Sequence, residues 1–248
     1  MKQKLLITGG CGKIGATFAR FAQQRYDLRL VDRRPWDADR MGPLRGESLV
    51  LDLREQAACR EACQGMDVVL HLAADADPEA DFVTSLLPNN IMATHFLFEA
   101  AHEAGCKRFI YASSAHVVSG YPADVQVRVE MPVRPGNLYG VSKCFGEALA
   151  GYYASRMNLP CIVLRIGAYL FPDEAAGMDP DERNALLDPD DFNDLLVRCI
   201  ETPGITHAII HAISNNRFKR LDLSGTRELL GYQPAVDAFD RSTPGNGE

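Results

Sequence analysis

The sequence predicts a doubly wound α/β fold on a parallel sheet, and three observations carry that expectation. Strand-like and helical segments alternate nearly from end to end, the pattern of units that place helices on both faces of one sheet. The first apolar run, Lys4-Leu5-Leu6-Ile7-Thr8, stops at Gly9-Gly10-Cys11-Gly12-Lys13-Ile14-Gly15 and gives way to helical spacing. The second apolar run, Leu28-Arg29-Leu30-Val31-Asp32, ends in an acid.

The remaining elements follow the same alternation. After the glycine run, Ile14, Thr17, Phe18 and Phe21 predict a helix over Lys13–Gln24. A third strand is expected at Ser48–Leu51, a helix at Arg54–Gln64 and a fourth strand at Asp67–Leu72. Two helical pieces are expected at Pro78–Leu87 and Asn89–Ala104, divided at Pro88 and stopped by Gly105. Lys107–Ala112 reads as a fifth strand, Ser119–Asn137 as a polar loop and Leu138–Met157 as a long helix. Cys161–Ile166 and Ala208–Ala212 are the last strands, enclosing a loop at Tyr169–Pro189 and a helix at Asp190–Glu201. Residues 1–240 are expected to form one domain, with 168–190 and 213–236 contributing to substrate binding and 241–248 a frayed tail.

Composition narrows the function classes. The 248 residues are 46% hydrophobic and 24% charged with a net charge of −7, an ordinary globular balance without a basic footprint for nucleic acid. Met1-Lys2-Gln3-Lys4 runs directly into a strand, so no leader is expected, and no apolar run is long enough to span a bilayer. Seven scattered cysteines, with only Cys59 and Cys63 close in sequence, predict reduced thiols in a cytoplasmic protein and no metal site.

The glycine run has the context of a dinucleotide site. It follows a buried strand and opens a helix, so backbone N–H groups and the helix dipole face a pyrophosphate. Gly9 allows the tight turn, Gly12 the approach of phosphate, and Gly15 close packing of helix on strand. Asp32 can accept hydrogen bonds from the adenosine ribose, which favours NAD over NADP, although Arg33 and Arg34 can pair with a 2′-phosphate. Asp52 reads equally as a ligand of the adenine amino group or a helix cap. The fold expectation therefore sharpens to a Rossmann-type sheet with a small C-terminal substrate-binding portion.

A redox site fits the other half. Tyr139 and Lys143 stand four apart on one helix face. A neighbouring ammonium and an oxidised nicotinamide are expected to lower the phenol from its usual value near about 10. Ser114, just past the fifth strand, is placed to hold the substrate oxygen. His71 reads as a core histidine.

In these marks the sequence resembles the extended short-chain dehydrogenase/reductases, the NAD-dependent epimerase/dehydratase group. They are Thr8-Gly9-Gly10-Cys11-Gly12-Lys13-Ile14-Gly15, Asp52-Leu53, His71-Leu72-Ala73-Ala74, Asn90-Ile91-Met92-Ala93-Thr94, Ser113-Ser114 and Tyr139-Gly140-Val141-Ser142-Lys143, with Leu229-Leu230-Gly231-Tyr232-Gln233-Pro234 near the C-terminus. The resemblance implies Tyr139 as general base and Lys143 as its partner and nicotinamide-ribose ligand. It implies Ser114 as the orienting hydroxyl, Asn90 as active-site support, and Cys11, Lys13, Ile14, Arg33, Leu53, Leu72, Ala73 and Ala74 beside the cofactor. A homodimer or larger homo-oligomer, paired through the helices from Asn89 and Leu138, is implied too.

The substrate is less determined. Only about 100 residues follow Lys143, too few for a lobe gripping a nucleotide-sugar, so a small free substrate is expected. Leu138–Glu147, Arg165-Ile166-Gly167 and Asp190-Asp191-Phe192 most resemble the uronate dehydrogenase-like members, which oxidise C1 of hexuronic acids to lactones. Arg183 is the candidate cation for a carboxylate. Those members carry Ser-Ser-Asn-His where this chain has Ser113-Ser114-Ala115-His116, and serines at the positions of Ala76 and Ala168. Three readings stay open: a dehydrogenase of a free sugar or sugar acid, an epimerase, dehydratase or carbonyl reductase using the same pair, and a non-catalytic NAD-sensing protein.

Overall fold

A computed structural model describes residues 2–175, 178–179 and 182–240. The expected 241–248 tail lies outside them. In chain order the first half contains β1 (Lys4–Thr8), α1 (Lys13–Ala22), β2 (Asp27–Asp32), α2 (Ala38–Met41), β3 (Glu47–Val50), α3 (Gln56–Cys63) and β4 (Val68–His71). A π-helix, Phe82–Met92, continues directly into α4 (Ala93–Glu103), followed by β5 (Arg108–Ser114) and a 3-10 turn at Ala115–Val118. Then come α5 (Leu138–Arg156), β6 (Cys161–Ile166), β7 (Ala168–Tyr169), α6 (Pro172–Ala175) and β8 (Leu186–Leu187). The chain continues through α7 (Pro189–Glu201), β9 (His207–Ala212) and α8 (Ser224–Leu230).

Seven strands form one sheet in the order β3-β2-β1-β4-β5-β6-β9, and every neighbouring pair is parallel. Side chains alternate across it as the pleat requires. Leu5 and Ile7 join Phe18, Phe192 and Tyr232 on one face; Leu6 joins Phe98, Phe109, Tyr111 and Tyr153 on the other. The order reverses between β1 and β4, which opens a crevice at the carboxyl ends of the strands, where such folds bind ligands.

Helix α5 begins where Asn137 supplies its cap, its Oδ1 accepting from Gly140 N at 2.8 Å. Helix α7 starts on Asp188 with Pro189 in its first turn. The π-helix overturns the expected division at Pro88. The wider turn, seen in Leu86 N→Asp81 O at 3.0 Å and Ala93 N→Pro88 O, carries the proline within one continuous helix. The helix also begins at Phe82, not Pro78. Short α2, α8 and the β7–β8 pair arise in stretches read as irregular.

Candidate active site

The glycine loop is shaped for close backbone approach. Gly9 has φ +67, and a Cβ there would crowd the Ala73 backbone; one on Gly15 would overlap the Gly9 carbonyl oxygen. Gly12 N donates to Gly9 O at 3.0 Å, and Gly12 precedes α1 without a side-chain cap, leaving helix donors open to a ligand. Asp32 holds the turn from the next strand, its carboxylate accepting from Cys11 N at 3.0 Å and Arg34 N at 3.1 Å. Cys11 thus takes part through its N–H, since its buried side chain lines neither of the two cavities beside the loop.

Those cavities meet at Gly9, Gly12, Leu72 and Ala74. The first, about 380 Å³, is walled by Asp32, Arg33, Asp52, Leu53 and Ala73. Asp52 sits at its edge, paired to the Arg54 side chain and accepting from Arg54 N at 3.0 Å. That pairing holds its carboxyl below the usual value. The expected helix-cap role is not realised, because α3 begins later, on Glu55. Asn89 and Ala93 also wall this cavity; Ala93 belongs to the Asn90–Thr94 mark, and neither is among the residues expected beside the cofactor.

The second cavity, about 390 Å³, brings Lys13, Ile14 and Gly15 together with Ser114, His116, Tyr139 and Lys143. Ser114 is the last residue of β5 and not a residue beyond it. Its Oγ accepts from His116 N at 3.2 Å, which leaves its proton for Tyr139. Lys143 is buried and donates to Ala112 O at 2.9 Å, and burial pulls it down to about 8. For Tyr139 the protein's own groups act in the opposite direction. Burial pushes its phenol up and the Asp75 carboxylate adds to the rise, while the Ser114 hydrogen bond only partly offsets them. The Lys143 ammonium, 5.7 Å from the Tyr139 ring centroid, does not reverse that balance.

Other named residues fall around this core. Asn90 is buried and lines neither cavity; its amide bonds to both the N–H and the carbonyl of Asp75 and to Ser142 Oγ. His116 faces the Tyr139 ring edge-on at 5.4 Å. Because Asn137 Oδ1 caps the helix, Asn137 Nδ2 is the group that donates to His116 Nδ1, at 2.9 Å. His116 is therefore neutral with its proton on Nε2. His71 is a core residue between Thr8 and Thr94, and burial lowers it to about 3.

On the substrate side, Ala76 lines the second cavity, whereas Ala115 lines a third, about 420 Å³, that shares His116. Ala168 lies in β7 and Arg183 in a 3-10 turn at Arg183–Ala185, and neither lines these cavities. Gly167, from the Arg165-Ile166-Gly167 run, and Tyr169 line the second cavity instead. Among the described residues no cluster of metal-ligating side chains occurs, and no helix is long and apolar enough to cross a membrane.

A glycine cradle that tolerates no side chain, running into a buried Tyr–Lys pair, fits an extended dinucleotide. The protein is accordingly an NAD-dependent oxidoreductase of the short-chain dehydrogenase/reductase type. The chain belongs to the NAD dependent epimerase/dehydratase family, whose model matches residues 5–177. It is 33% identical to an NAD-dependent glucose-6-phosphate dehydrogenase of Haloferax volcanii, over 94% of either chain. It is 34% identical to a uronate dehydrogenase of Pseudomonas putida, covering 93% of this chain and 83% of the relative. The crystal structure of uronate dehydrogenase from Agrobacterium tumefaciens superposes with a TM-score of 0.89 at 28% identity, covering 100% of this chain and 90% of that one.

Proposed function

We propose that this chain oxidises C1 of a small free sugar or sugar acid to the lactone, with Tyr139 as base. The observation that carries this reading is the convergence of Tyr139, Lys143 and Ser114 on the cavity that also holds Lys13, Ile14 and Gly15. Relatives named for glucose 6-phosphate and for uronates support a sugar whose anomeric carbon is oxidised.

The residues divide the work. The Ser114 hydroxyl and the Tyr139 oxygen form one hydrogen-bonded pair, into which the C1 hydroxyl of the sugar fits as a third member. Tyr139 takes that hydroxyl's proton. Lys143, anchored on Ala112 O, keeps two N–H donors for the nicotinamide ribose and the phenolate side. NAD, when bound, supplies the hydride acceptor and the positive charge that offsets the rise burial imposes on the phenol. Gly9, Gly12, Asp32, Arg33, Asp52 and Leu53 are positioned for its adenosine and diphosphate half.

A homodimer or larger homo-oligomer is part of this reading. Val83 and Met92 on the π-helix and Leu138, Val141 and Tyr152 on α5 are exposed apolar residues on the two helices expected to pair. All seven cysteines are free, which supports a reducing, cytoplasmic setting.

The decisive experiment follows NADH absorbance over a panel of uronic acids, aldoses, aldose phosphates and polyols. NADH formation with one sugar class, lost in Tyr139→Phe, is the expected result. Tightly held NAD with no NADH from any sugar points instead to an epimerase.

A further inference from the structure

Lys143 has an environment that a single carbonyl does not explain. Its ammonium is buried and donates to Ala112 O, yet the ring of Tyr111 lies beneath it, 5.3 Å from centroid to Nζ. Tyr111 precedes Ala112 on β5, so one short piece of strand supplies both the acceptor and the ring. The ring is fully buried and its hydroxyl has no hydrogen-bond partner. A tyrosine in such a place brings an unsatisfied polar atom. Its aromatic face, not its hydroxyl, is what the site uses.

The helix opposite is cut to fit that ring. A Cβ on Gly146 would overlap Cζ and Oη of Tyr111. Gly146 stands three residues after Lys143 on α5, so the lysine and the gap lie on one helix face. The titratable groups that act on the ammonium are His71 from β4 and Tyr139 from α5, and those that act on the ring beneath it are Tyr139, Cys144 and Glu147 from α5. His71 is neutral, and Glu147 is committed to Ser113 and Arg165. Beyond the Ala112 carbonyl, the Tyr111 ring is the nearer of the two aromatic faces beside the ammonium, at 5.3 Å against 5.7 Å for Tyr139.

We infer that Tyr111 is a positioning residue for Lys143, its aromatic face forming the floor that holds the ammonium, with Gly146 as the notch admitting the ring. A cation over an aromatic face, partly desolvated, gains enough to hold a lysine up by roughly half to one and a half pH units. Without the ring the ammonium loses its proton at a lower pH. This rests on the reading of Lys143 as the charged partner of the base, which Lys143→Met tests separately: turnover retained in that variant defeats the reading.

The inference itself is tested without turnover, by NMR of protein carrying 13Cε-labelled lysine and no added dinucleotide. In the wild type, the Lys143 ε-protons are expected upfield from the ring current, with a titration midpoint near 8. Tyr111→Phe should keep both properties. Tyr111→Leu should lose the upfield shift and drop the midpoint by about half a pH unit or more. Gly146→Ala, which displaces the ring while retaining tyrosine, should do the same. An unshifted wild-type signal overturns the inference without any variant. So does an unchanged midpoint in Tyr111→Leu, or a Phe variant that falls as far as the Leu variant.

Discussion

Asn90 and Ser142 are 3.0 Å apart, Nδ2 to Oγ, and this bond ties the π-helix to the catalytic helix. Ser142 passes the link on by donating to Tyr139 O at 2.7 Å. On its other side Asn90 clamps Asp75, accepting from its N–H at 2.8 Å and donating to its carbonyl at 2.9 Å. Asp75 is the carboxylate that raises the Tyr139 phenol. One buried amide thus fixes both the backbone of the base and the acid that opposes its ionisation.

Asn90→Ala should therefore impair stability and rate together. It strands the Asp75 N–H and carbonyl, and each unsatisfied buried group costs about 1–3 kcal/mol. Urea denaturation should show a loss of at least that size, with kcat reduced and NAD affinity nearly kept. An Asn90→Ala protein with wild-type kcat would remove Asn90 from the active-site scaffold.

The rate should depend on pH in a way set by two buried groups. The Tyr139 phenol is raised, so its base form accumulates only as pH increases. Lys143 is lowered to about 8, so its ammonium is lost as pH rises through that value. Because the phenol titrates above the ammonium, the form with both groups competent grows as pH rises toward about 8 and gains nothing beyond it, so kcat/KM should climb from pH 7 to a plateau that begins near 8. Tyr139→Phe should abolish turnover while leaving NAD affinity within about threefold, since the substitution removes one hydroxyl. A profile that stays flat from pH 7 to 9 contradicts the assignment of either group.

Much of this was legible in the sequence, for reasons of locality. The glycine loop, Asp32 and the Tyr139–Lys143 pair are short-range patterns whose geometry follows from one strand or one helix turn. The bonds from Asn90 reach across 15 and 52 residues, and no local spacing encodes them. Pro88 was misleading because a proline breaks an α-helix, whereas here the wider π turn absorbs it. The protein's own contribution to the Tyr139 phenol is illegible for a different reason. The helix spacing shows the lysine, but it shows neither the burial nor Asp75.

Acid should destabilise the fold before its carboxylates titrate. Burial lowers His71 to about 3 and His211 to about 4 from an ordinary 6.5. In that window the unfolded chain binds protons that the folded one refuses, so stability falls as pH drops below about 6.5. The limiting slope is about 1.4 kcal/mol per pH unit for each histidine. Urea midpoints should decline from pH 7 to 5, and NMR should show the His71 ring untitrated at pH 5. A constant midpoint over that range, or a His71 midpoint near 6.5, contradicts this account.

The cation for an acidic sugar is a choice between Arg183 and Arg220. Arg183 does not line the cavity that adjoins His116, whereas Arg220 does, together with Asn184 and Ser119. Arg220 donates to the carbonyls of Tyr121, Pro122 and Val125, and among the described residues no carboxylate lies within ion-pair distance of it. Its three acceptors are neutral and Asp124 acts on it only from beyond ion-pair distance, which leaves its remaining N–H groups available for a carboxylate or phosphate. Glu182 lines the same cavity and opposes an anion there. Arg220→Gln should lower kcat/KM for sugar acids at least tenfold more than for neutral aldoses. Glu182→Gln should shift that ratio the other way, and Arg183→Gln should leave it unchanged. If Arg183→Gln alone collapses the ratio, the carboxylate sits on the far side of β8 and the cavity beside His116 takes neutral hydroxyls.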